Sequence, residues 1–151
     1  MHEFIKAAYD YQDNTFHSHP GYYIDYFEMR LAQLQVLHNL HYEIKKIRKM
    51  PKQALVIADY IMYMADYVVE MNIPDQQIEK LEEISEQMKQ EELPKTREEF
   101  EGRALLYHIL MDLEEFLVYK KRFVNGLDEK KLRIYWKQEM EQKDSANELQ
   151  K

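Results

Sequence analysis

The chain is 151 residues long with a formal net charge of −7 at pH 7 and a pI of about 5.4. That length suits one domain with a real core. The acidity argues against a nucleic-acid partner, which requires a concentrated basic face. The absence of cysteine removes disulfides and thiolate metal sites and fits a reducing compartment.

Only three glycines and four prolines are present, among many strong helix formers. The glycines and prolines fall almost entirely where helical patterns stop, so they punctuate the chain. His2–Phe16 reads as a short first helix, and Ser18-His19-Pro20-Gly21 breaks it. Tyr22–Met50 is a long helix with its apolar face at Phe27, Leu31, Leu34 and Leu37/His38, continuing through His41, Ile44 and Ile47. Met50-Pro51 ends or kinks it. Lys52–Met71 is apolar on most sides and is expected to be the most buried element. Asn72-Ile73-Pro74-Asp75 stops one helix and starts the next, with Pro74 tolerated in a first turn. Gln76–Glu92 is thinly amphipathic along Ile78, Leu81, Ile84 and Met88.

The stretch Leu93–Leu117 is the most informative. Thr96 with Glu99 three residues on fits a capping box, and Glu98 and Glu99 suit the positive end of the helix dipole. Two adjacent apolar stripes follow, through Phe100, Ala104, Tyr107 and Met111 and through Leu106, Leu110, Leu113 and Leu117. A helix with so wide a face needs neighbours on more than one side. It runs to about Val124, where Asn125-Gly126 allows a left-handed cap. Asp128 can cap a last helix to about Met140, and Gln142–Lys151 is polar and expected to fray.

Short loops between long helices favour antiparallel neighbours. The expected fold is all-α, an up-down antiparallel bundle of four main helices with short flanking helices. Residues 1–19 form a leading helix and linker, 20–124 the bundle, and 125–151 a trailing helix and frayed tail. Met1–Phe16 lacks the apolar run of a signal peptide. Ala54–Val69 is interrupted by Asp59 and Asp66, so it does not read as a bilayer span.

No constellation carries an active-site signature, and the sequence implies no catalytic residue, cofactor or metal centre. His17 and His19 lack a partner at a fixed helical offset. His38 and His41 on one helix, with His108 and Asp112 on another, could meet in a bundle. The Glu-x-x-His pairs of bundle di-metal sites are missing, since Gln35 stands three before His38. These histidines therefore read as interfacial groups bonded to tyrosine, carboxylate or water. Asp59, Tyr63, Asp66 and Glu70 form one stripe. A metal-dependent all-α nucleotide pyrophosphatase would need Glu-x-x-Asp on such a helix, yet Val56 and Tyr63 stand where the glutamates belong.

Twelve tyrosines are many for this length. Tyr26, Tyr60, Tyr63, Tyr67 and Tyr107 are the candidates for lining a small-molecule pocket, although such residues more often edge a core. Two basic clusters stand at helix ends, Lys45–Lys52 and Lys120-Lys121-Arg122, where they complement helix dipoles or meet a membrane surface.

The chain from about Pro20 to Val124 resembles the C-terminal domain of the aromatic acid exporter family, member 1 type, found in bacterial membrane proteins. The resemblance lies in Leu93-Pro94-Lys95-Thr96-Arg97-Glu98-Glu99-Phe100-Glu101, Arg103-Ala104, Asp112-Leu113 and Phe116-Leu117. A weaker match opens the long helix at Tyr22-Tyr23-Ile24, Glu28-Met29-Arg30 and Gln33. It implies a non-enzymatic, soluble, all-helical domain on the cytoplasmic side of the membrane. Its implied partner is an N-terminal membrane domain of the same protein, absent from this chain, which is expected to be an excised domain or a stand-alone relative. Homo-oligomerisation stays open. The resulting expectation is an accessory domain supporting assembly or regulation of a transporter, with the end bearing Tyr22, Lys120, Lys121 and Arg122 toward the membrane. The competing readings are an aromatic-acid sensor built on the tyrosines and a hydrolase built on Asp59, Asp66 and Glu70.

Overall fold

The structure, a computed structural model, describes residues 20–127 together with Glu3, Ile5, Lys6, Leu132 and Trp136. The expected first helix, the His17/His19 pair, the Asp128 cap and the polar tail lie largely or wholly outside the described residues. Four helices make the bundle: α1 (Pro20–Lys45), α2 (Ala54–Ala65), α3 (Asp75–Lys89) and α4 (Arg97–Asn125).

Local chemistry sets their ends. The Thr96 hydroxyl accepts from the Glu99 amide at 3.1 Å, as the capping box requires. The Glu99 carboxylate returns to the amide of Lys95 at 2.8 Å, one residue before the cap. Asp75 opens α3 behind Pro74 and meets the positive end of that helix dipole. α1 stops at Lys45, short of Met50. Lys45, Lys46, Arg48 and Lys49 would repel one another at helical spacings of three and four. α2 stops at Ala65, where tighter turns from Tyr67 to Met64 and from Val68 to Ala65 take over. Gly126 closes α4 in a right-handed conformation, φ −73°, with its amide on Arg122. The left-handed cap is not used.

Contacts at the helix ends fix an up-down path. Tyr22 at the start of α1 packs its ring 5.5 Å from Phe123 at the end of α4. At the opposite end Gly102 of α4 lies against Pro51, where an added Cβ would come 3.2 Å from the proline Cγ. Lys121 of α4 pairs with Asp75 at the start of α3 at 2.9 Å. The Arg103 guanidinium near the start of α4 donates to the Glu92 carbonyl just beyond α3. The four helices therefore alternate in direction. The fold is the all-α bundle that the sequence implies.

α4 is the centre of it, packing against α1, α2 and α3. Leu106, Ile109, Leu110, Leu113, Phe116 and Leu117 of α4 form the core with Val36 and Leu40 of α1, Ile57, Tyr60 and Met64 of α2, and Leu81, Ile84 and Met88 of α3. Two expectations are corrected here. α2 is not the most buried element, since Leu55 is 69% and Met62 74% exposed. It buries only Ile57, Tyr60 and Met64, the one stripe that reaches α3 and α4. The face of α1 is also rotated from the expected one. Its inward residues are Tyr22, Met29, Gln33, Val36 and Leu40, whereas Leu34, Leu37 and Ile44 are exposed. Their steps of seven, four, three and four track a helix seam as well as the expected face does. A polar tie chooses between them, because the Gln33 amide donates to the Phe116 carbonyl of α4 at 2.8 Å.

Candidate functional site

The α1–α4 seam brings together three side chains that the apolar core does not need. Glu43 lies three residues beyond Leu40 on the inward face of α1. His108 and Asp112 are one turn apart on α4, so they share a face. His108 Nδ1 stands 2.5 Å from Glu43 Oε1 and 3.8 Å from Asp112 Oδ2. Asp112 is 9% exposed, while the His108 ring is half exposed to solvent. Oε2 of Glu43 and Oδ2 of Asp112 are both shut away from solvent, with no donor beyond a proton shared between the two carboxyls. Among the described residues, these three offer ligand-type atoms that all lie within 4.8 Å of one another.

The electrostatics follow from that crowding. Burial, and then the adjoining Glu43 carboxylate, push Asp112 up to about 6. Burial also works against a charged Glu43, but Asp112 and His108 together outweigh it and hold Glu43 below the usual carboxylate range. The bond to Glu43 raises His108, with burial opposing. An open groove of about 420 Å³ runs past His108, Asp112, Glu115 and Arg122.

His38 and His41 point elsewhere, exposed on α1. The two histidine pairs do not gather; His108 meets the Glu43 carboxylate, as an interfacial histidine would, with Asp112 beside it. Glu43 was missed because the expected face of α1 was rotated. The Met29-Gln33-Val36-Leu40 spacing carries the signal that would have found it.

The second cluster lies at the Tyr22 end. Lys120 is not at the surface, which corrects its place among membrane-facing residues. It is 4% exposed, and its Nζ donates to the Val69 and Glu70 carbonyls at 2.8 and 2.6 Å. It thereby satisfies carbonyls freed where α2 gives way to turns. Burial, and then the Arg30 guanidinium, lower its pKa to about 7, with Glu70 opposing. The Tyr22 hydroxyl donates to Glu70 at 2.7 Å and accepts from Trp136 at 3.1 Å. Lys121 and Arg122 remain solvent-accessible.

The candidate tyrosines divide into separate places. Tyr60, Tyr63 and Tyr67 form a ladder of rings 5.9 and 5.1 Å apart. The Tyr60 hydroxyl is committed to the Gln77 carbonyl at 2.6 Å. Tyr26 belongs to the Tyr22–Phe123 group, under Arg30. Tyr107 packs on the core. Of the five, Tyr67 borders a cleft of about 10 Å³ between α1, α2 and α4, about the room of a single water. The Asp59–Glu70 stripe does not converge either. Asp59 and Asp66 face solvent, and Glu70 is taken by Tyr22.

A family model described as "Putative aromatic acid exporter C-terminal domain" matches residues 1–121. The chain is 29% identical over 118 residues to "Uncharacterized protein YqjA" of Bacillus subtilis (strain 168), covering 78% of this chain and 37% of that protein. It thus spans little more than a third of the length of that curated relative. A solved structure titled "Crystal structure of putative membrane protein from Clostridium difficile 630" superposes with a TM-score of 0.68 at 28% identity. That likeness covers 81% of this chain and 72% of the solved one. No helix among the described residues is long and apolar enough to cross a membrane. A match over most of its length, together with the shared bundle, makes this chain a member of the aromatic acid exporter C-terminal domain family.

Proposed function

We propose that this chain is a non-enzymatic accessory domain on the cytoplasmic side of an exporter-type membrane protein, supporting its assembly or regulation. The family match over residues 1–121 carries the reading. The partner is a membrane domain of the same protein, and the end of the bundle bearing Tyr22, Lys121 and Arg122 faces it. Geometry supports that orientation, since Tyr22 and Phe123 put the start of α1 and the end of α4 together. Basic residues on the cytoplasmic flank of a membrane domain follow the positive-inside bias and can meet anionic headgroups. Lys121 makes an exposed pairing with Asp75, of the kind that contributes little. Lys120 belongs to the interior and takes no part.

The test is made in the full-length protein. Changing Lys121 and Arg122 together to glutamate is expected to lower the yield of assembled, correctly oriented protein. The same change at Lys45 and Lys49, at the far end of the bundle, is expected to leave it intact. Equal losses from the two pairs would overturn the orientation.

A further inference from the structure

We propose that Glu43, His108 and Asp112 bind one divalent transition-metal cation of the zinc class, clamping α1 to α4 with water completing its shell on the solvent side. Three observations carry this. The donor atoms lie within 4.8 Å of one another and come from two different helices. Two of the carboxylate oxygens, on Glu43 and Asp112, are buried side by side with no donor beyond a proton shared between the two carboxyls. A buried polar atom left so is costly unless something satisfies it. The third donor, His108, is half exposed and borders an open groove, which leaves an entry path and a position for water.

The donor set selects the metal. Two carboxylates and an imidazole are the mixed oxygen and nitrogen ligands of zinc and its neighbours, and three protein ligands plus water complete a tetrahedron. Magnesium prefers oxygen alone and keeps most of its waters. The charge also favours a cation. Two carboxyl groups and a neutral imidazole bring up to two negative charges to one place, which a divalent cation offsets. Ligation requires these groups to be deprotonated, so binding weakens in acid. Lys46, in the turn just beyond α1, and Glu115 on α4 also act on the triad, with opposite signs.

The experiment is calorimetric titration of the 151-residue chain with zinc chloride at neutral pH, with cobalt(II) absorption as a second readout. The expected result is one equivalent bound in the micromolar range, no heat with magnesium, and a melting temperature raised by zinc. His108→Ala and Asp112→Asn should each lose this binding, and the bound-cobalt absorption should vanish with it in His108→Ala. The double variant His38→Ala, His41→Ala should keep it. His108 is half exposed, so its alanine variant folds and remains informative even where Asp112→Asn does not. Zinc uptake only at millimolar concentration, or uptake that survives both His108→Ala and Asp112→Asn, would overturn the site.

Discussion

α2 and α4 make an instructive pair. The sequence of α2, Ala54–Ala65, is almost unbroken apolar residues, whereas α4 alternates them with charge. Yet α4 buries ten residues and α2 three. Burial follows the number of neighbours a helix can reach, and α4 is long enough to serve three of them. At about 1.5 Å per residue it spans roughly 44 Å, over twice the length of α2. The excess apolar surface of α2 is left in solvent at Leu55, Val56 and Met62. Scattered exposed apolar residues are normal, so composition alone is a poor guide to the core.

Substitutions can break or sharpen this contrast. Leu113, 1% exposed in α4, has the largest expected effect. Leu113→Ala should cost on the order of 2–5 kcal/mol in denaturant unfolding, because it leaves a cavity.

Next comes Lys120, whose amine joins α4 to the last carbonyls after α2. Its pKa lies near 7 in the folded protein against the ordinary 10.5. Between those values the unfolded chain holds the proton and the folded one does not, so stability rises with pH. The rise is at most about 1.4 kcal/mol per pH unit. It should be read between pH about 7 and 9.5, before tyrosines ionise at about 10. Above that range the buried Tyr22 and Tyr60 hydroxyls, raised by burial, reverse the trend. Unfolding curves across this window should climb for the parent and flatten for Lys120→Met. A parent curve that is flat or falls would show that the amine keeps its charge in the fold.

Thr96→Ala removes the side-chain cap of α4 and should cost about 1 kcal/mol. Met62→Ala, on the exposed face of α2, should change stability by less than about 0.5 kcal/mol. A Met62→Ala loss rivalling that of Leu113→Ala would mean that something covers the α2 face in solution.

Much of the bundle was legible in the sequence. Pro74, Thr96 and Glu99 mark helix starts by chemistry that is local, so it can be read without the fold. Leu110 and Leu113 were legible because the α4 stripes are wide and leave little rotational choice. α1 was not, because it carries two apolar stripes, and the Gln33 bond to a carbonyl of α4 decides between them. The same ambiguity hid Glu43, since its value depends on which side of α1 meets His108. Lys120 read as a surface charge because basic residues at a helix end usually are. Its burial depends on carbonyls fifty residues earlier in the chain, which no local pattern reveals.

The central claim is that α4, and not the more apolar α2, is the stable heart of the bundle. Native-state hydrogen exchange tests it most directly, because amides in the last region to open exchange only through global unfolding. The amides from Leu106 to Leu117 should exchange slowest, with those of Ala54–Ala65 released earlier by local opening. Protection in α2 equal to or greater than that in α4 would contradict the account.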